Sequence, residues 1–111
     1  MDRVDNYRKI VKDVLREYAH YRPATGDIDL ETIFDETTDH YELLAVGWRD
    51  KQRVHGCVIH IDIRDGKVWL QHDSTDAAIA DQLVERGIPA DAIVLGFQPE
   101  YIRQYSGFAV Q

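Results

Sequence analysis

Hydrophobic side chains recur every three or four residues from Asp2 to Tyr21 and then switch to alternation, which divides the chain into an opening helix and a series of strands. Val4, Tyr7, Val11, Val14, Leu15 and Tyr18 fall on one stripe, and Arg3, Lys9, Lys12, Asp13, Arg16 and Glu17 mostly take the wet side. Pro23 disfavours helical geometry at Arg22 and predicts a stop there, with Thr25-Gly26-Asp27 as the turn that follows.

Ile28, Leu30, Thr32 and Phe34 alternate with Asp29, Glu31, Ile33 and Asp35, so residues 28–36 read as a first strand whose polar face suits a sheet edge. A second strand, Tyr41 to Trp48, sets Glu42, Leu44, Val46 and Trp48 against Tyr41, Leu43, Ala45 and Gly47, with apolar groups on both faces. After the polar tetrad Arg49-Asp50-Lys51-Gln52, a third strand places His55, Cys57, Ile59, Ile61 and Ile63 on one face and Val54, Gly56, Val58, His60 and Asp62 on the other.

Asp65-Gly66 is a strong hairpin signal, because both central positions of a type I′ turn need positive φ. It predicts that Arg64 opposes Lys67, Ile63 opposes Val68, Asp62 opposes Trp69, Ile61 opposes Leu70 and His60 opposes Gln71. The isoleucine face then belongs under helices, and His60, Asp62 and Trp69 look the other way.

Beyond Asp73, Ser74 or Thr75 is placed to cap a helix starting near Asp76, with Ile79, Ala80, Leu83 and Val84 as its stripe and Gly87 at its left-handed end. Ile93 to Phe97 reads as a short buried extended segment. Pro99 opens a last short helix to about Tyr105, and the apolar end Phe108-Ala109-Val110 is expected to dock on the body or on a partner. The expected fold is α+β: one domain over residues 1–111, a four-stranded antiparallel meander, the N-terminal and second helices on one face, and a C-terminal strand-and-helix segment.

Twenty acidic against 13 basic side chains give a net charge of −7, which repels phosphate backbones and anionic membranes at long range. Direct DNA binding by the isolated chain is therefore not expected, although Arg49, Lys51 and Arg53 form a local basic cluster. Cys57 is the single cysteine, so no internal disulfide forms, and neither a signal-type apolar core nor a run of about 18 apolar residues occurs. A cytoplasmic protein without a membrane span is the expectation.

Candidate chemistry is sparse. His60 and Asp62 share a strand face with Gln71 as their cross-strand neighbour, a start for a metal or general-base site, but a metal asks for three or four convergent ligands. The predicted register keeps His40, His55 and His72 off the face of His60, so no metal site, cofactor or catalytic residue is assigned. Cys57 is expected to point into the core, and no G-x-S-x-G, P-loop, G-x-G-x-x-G or H-E-x-x-H motif is present. Instead the second sheet face, with Leu43, Val58, His60, Asp62, Trp69 and Gln71 and with Tyr41 alongside, is the expected partner-binding surface, because helices on the isoleucine side leave it bare.

The segments DHYELLAVGW, HGCVIHIDIRDGKVWLQHDST, IADQLVERGIP and IVLGFQP, in this order, resemble the XisI family, the fdxN element excision controlling factor proteins of cyanobacteria. The resemblance spans essentially the whole chain. It implies an accessory, non-enzymatic protein for programmed excision of a DNA element, acting beside a separate recombinase and an XisH-like partner, itself endonuclease-like. A homo-oligomer or hetero-complex built on the second sheet face fits that role. The rival readings are a metal-dependent nuclease or hydrolase subunit using His60, Asp62 and Gln71, and a direct DNA-binding regulator.

Overall fold

A computed structural model describes residues 2–20 and 27–111, so the expected stop at Pro23 and the start of the Thr25-Gly26 turn lie outside the described residues. Helix α1 runs Arg3–Ala19, and the Asp2 side chain caps it by accepting from the Val4 amide at 3.0 Å. Tyr7, Ile10, Val11, Val14 and Leu15 are its buried residues, a stripe with steps of three and four that adds Ile10 to the predicted set. Burial of each such aliphatic side chain stabilises the fold by about 1.5–3 kcal/mol.

The strands are β1 (Asp27–Asp35), β2 (His40–Arg49), β3 (Gln52–Arg64), β4 (Lys67–Asp73) and β5 (Ile93–Leu95), ordered β1-β2-β3-β4-β5 in one sheet. The first four form the expected antiparallel meander with β1 at its edge. The sheet nevertheless has five strands rather than four, because β5 pairs parallel to β4 after the chain crosses over through helix α2 (Ile79–Glu85). Three wholly buried residues carry no alternation, so the segment's place in the sheet left no periodic trace in the sequence.

The Asp65-Gly66 turn has positive φ at both residues, 53° and 76°, and β3 and β4 pair from Arg64↔Lys67 to Ile61↔Leu70 as predicted. Two bulges then change the pattern. In the β2–β3 pair Leu43 faces Ile59 but Leu44 faces Cys57, leaving Val58 as an extra residue. Parity reverses there, so His55 and Cys57 lie on the face opposite the isoleucines, and Val58 packs against the core. In the β3–β4 pair Gln71 is the extra residue, and His60 faces His72 instead.

Tyr41 and Leu43 are fully buried in the helix-side core with Ile59, Ile61, Val11 and Leu83, which corrects their assignment to the second face. The β2 sequence is apolar on both faces, and pairing with the bulged β3 decides which one turns inward. The core thus comprises one stripe of α1, Ile79 and Leu83 of α2, and the inner side of β2–β5. Arg86 ties the two helices together through a bidentate pair with Glu17 at 2.6 and 2.8 Å.

Helix α2 starts later than predicted, at Ile79: Thr75 Oγ1 accepts from the Ala77 amide at 3.2 Å, but this forms a turn ahead of the helix rather than its cap. Asp73 accepts from the Thr75 amide and hydroxyl at 2.8 and 2.6 Å, Ser74 Oγ donates to the Val58 carbonyl at 3.1 Å, and the left-handed Ala78 (φ 52°) precedes the helix. At its other end Gly87 takes φ 116° and the Ile88 amide returns to Leu83 O at 3.1 Å, as expected of a glycine stop. Helix α3 (Glu100–Arg103) follows Pro99, and the C-terminal segment docks on its own chain: the Ala109 amide donates to Ile93 O at 2.8 Å, beside the fully buried Val94.

Candidate functional site

Asp62 is the one buried charged side chain among the described residues, 4% exposed. Strand β3 puts His60 two residues before it on the same face, and β2 sets His40 directly across the ladder. His40 Nδ1 lies 2.6 Å and His60 Nε2 2.8 Å from the same carboxylate oxygen, Oδ1. The other oxygen, Oδ2, accepts from Gln71 Nε2 at 3.2 Å, with the Arg64 guanidinium at 3.7 Å.

Backbone irregularity makes this cluster possible. Gln71 reaches Asp62 as the bulged residue of β4, and Gly96 leaves the space its side chain fills, since a Cβ at position 96 would collide with Gln71 Oε1. Burial pushes the Asp62 carboxyl pKa up, but hydrogen bonds from His40 and His60 outweigh that effect and hold it below the ordinary carboxylate range. The same bond from the other side raises the His40 imidazole pKa. The result is a buried, ionised carboxylate with two imidazoles converging on it from the wet side.

Of the residues expected at a partner surface, His60, Asp62 and Gln71 come together, while Leu43 and Val58 go to the core. Trp69 keeps its predicted face opposite Asp62 but is half-buried, with the guanidinium groups of Arg64 and Arg103 over its ring at 5.1 and 5.2 Å. His40 was missed, and His55 and His72 also belong to the face of His60, contrary to the expected register. The available signal was parity: His40 is in step with Glu42, Leu44 and Val46, the β2 face that turns outward.

That outward face carries an apolar strip that the sequence reading did not single out. Leu44 stands beside Cys57 and Glu31, Val46 beside His55 and Asp29, and Trp48 beside Arg53, whose guanidinium lies 5.3 Å from the indole. Ile33 and Trp48 are 46% and 49% exposed, whereas α1 and α2 pack on the other side of the sheet. Cys57 belongs to this strip rather than to the core; burial, then the nearby Glu42 carboxylate, pushes its thiol pKa up, which makes it a poor nucleophile.

Comparison with known proteins gives one consistent answer. The family model described as "XisI protein" matches residues 1–110. A crystal structure of a XisI-like protein from Anabaena variabilis is 40% identical with a TM-score of 0.91, covering 98% of this chain and 100% of that one. The fdxN element excision controlling factor XisI from Anabaena variabilis is 32% identical with a TM-score of 0.84, covering 99% of this chain and 100% of that one. No curated protein matches the chain. With the family model spanning nearly every residue and both solved structures sharing the fold from end to end, this chain belongs to the XisI family.

Proposed function

We propose that this protein is a non-catalytic controlling factor for programmed excision of a DNA element, working in the cytoplasm by binding an XisH-like partner while a separate recombinase cuts and joins the DNA. The observation that carries this reading is the outer sheet face, where Ile33, Leu44, Val46 and Trp48 form an apolar strip with acidic neighbours Asp29 and Glu31. Covering such surface contributes about 25 cal/mol per Å². His60, Asp62, Gln71 and the arginine-flanked Trp69 continue the same face as its polar rim. The net charge of −7 suits a basic, DNA-handling protein better than DNA itself.

Self-association of copies through this face is part of the proposal, as the state in which the strip is covered before the partner arrives. The test is co-purification of the chain with an XisH-like protein, followed by sedimentation of the chain alone. Trp48→Asp and Leu44→Asp, both on the face away from the core, are expected to abolish capture and move the assembly toward monomer while far-ultraviolet circular dichroism stays unchanged. Capture and mass that survive both substitutions overturn a contact through this face, and a salt-sensitive gel shift by the chain alone would favour direct DNA binding instead.

A further inference from the structure

We propose that His40 Nδ1, His60 Nε2 and Asp62 Oδ1 form a binding site for one first-row divalent transition-metal ion, with zinc as the test case. The three donor atoms lie within 4.8 Å of one another and come from two adjacent strands, so the ladder itself sets their spacing. Two imidazoles and one carboxylate are the donor set of zinc, cobalt and nickel sites, whereas magnesium and calcium ask for oxygen ligands throughout.

The carboxylate is already aimed. Gln71 and Arg64 hold Oδ2, which leaves Oδ1 turned toward both histidines, the supporting arrangement that orients a ligating carboxylate. Exposure is graded in the same sense: the Asp62 side chain is 6% exposed, His60 29% and His40 53%, so the open side of the site faces water, where a fourth ligand enters.

At 2.6 and 2.8 Å the present contacts are hydrogen bonds, each holding a proton between an imidazole nitrogen and Oδ1. Loading replaces them. Each neutral ring moves its proton to the nitrogen facing away from Asp62, an imidazolium instead releases one proton to water, and the rings spread until the donors stand about 3.3 Å apart around an ion with bonds near 2.0–2.1 Å. The exposed His40 ring has room for that movement. The site needs no partner chain; its residues lie in the polar rim of the face proposed above for partner contact, and metal titration of the isolated chain reads it independently of partner capture.

Isothermal titration of the untagged chain with Zn²⁺, and the visible spectrum with Co²⁺, test the site. One equivalent is expected to bind, with affinity reduced at least about tenfold by His40→Ala and by His60→Ala, and also by Gln71→Ala through loss of the supporting bond. His72→Ala, His55→Ala and Cys57→Ser are expected to leave it unchanged, and Mg²⁺ to give no binding. Absence of binding by Zn²⁺, Co²⁺ and Ni²⁺ overturns the site; so does binding that survives His40→Ala, or that is lost with His72→Ala, since His72 faces His60 across the other ladder. His40 is exposed enough for its alanine variant to fold, so loss of affinity there reads the ligand and not the core.

Discussion

His40 and Asp62 are directly paired Cα partners in the β2–β3 ladder, and the His40 Nδ1 to Asp62 Oδ1 distance of 2.6 Å locks the base of that hairpin from its wet face. On the core face of the same strands, Tyr41 pairs with Ile61 and both are fully buried. One carboxylate therefore anchors β2, β3 and the β4 bulge together.

Asp62→Ala leaves Gln71 and both imidazoles without their common acceptor, and it is expected to cost about 2–3 kcal/mol, the range for hydrogen bonds to a buried charge. Asp62→Asn keeps the shape and one acceptor oxygen and should cost less. Guanidinium melts of the three proteins check the order; equal midpoints for Asp62→Ala and the parent would mean the cluster contributes nothing to stability.

Neighbouring leucines of β2 offer a sharp test of which face is inside. Leu43→Ala removes a side chain with no exposure from the core, at an expected 2–5 kcal/mol. Leu44→Ala, one residue along and on the outward strip, should cost under about 1 kcal/mol. Thermal unfolding of the pair decides it, and similar losses at both positions would contradict the bulge at Val58.

Gly96→Ala forces a methyl group against Gln71, whose amide carbon already stands 3.1 Å from the Cβ position. The expected loss is about 1–3 kcal/mol, the usual cost of overpacking. Combining it with Gln71→Ala should recover most of that loss, a coupling that a double-mutant cycle measures directly.

The pH dependence at the helix–sheet junction has a definite sign. Arg8 donates to both oxygens of Asp39, at 2.8 and 3.1 Å, and Tyr41 donates to it at 2.8 Å; this holds the Asp39 carboxyl below the ordinary carboxylate range despite partial burial. A depressed folded-state pKa contributes stability that is complete above the unfolded value near about 3.9 and is lost as pH falls through the lower folded value. Denaturant midpoints for the parent and Asp39→Asn should therefore differ at neutral pH and converge below about pH 4. A gap that persists into acid would assign the difference to shape rather than charge.

Much of the architecture was readable because it rests on period and turn chemistry. The α1 stripe, the edge position of β1, the Asp65-Gly66 turn and the glycine stop after α2 all follow from local rules that tertiary packing leaves in force. What escaped was set by the two extra residues, Val58 and Gln71. A bulge leaves no trace in hydrophobic alternation, yet it reverses every side chain beyond it, which moved His55 and Cys57 outward and brought His72 opposite His60. On β2, alternation puts His40 in step with Glu42, Leu44 and Val46, but with leucine on both faces it does not say which face turns outward, so the carboxylate that His40 touches follows only from the bulged register. The Ser74 bond to Val58 O joins residues sixteen apart and depends on folded proximity, whereas Asp73 competes for Thr75 through a local turn that the cap pattern does not distinguish.

The rim at β1 has a consequence for concentrated solutions. Its free backbone is the place where a second copy would extend the sheet into a fibril, and Asp27, Asp29, Glu31 and Asp35 project from it exposed. Two such rims meeting would crowd carboxylates of like sign together, so growth in that direction is self-limiting at neutral pH and becomes permissible only in acid, where those carboxylates are neutralised.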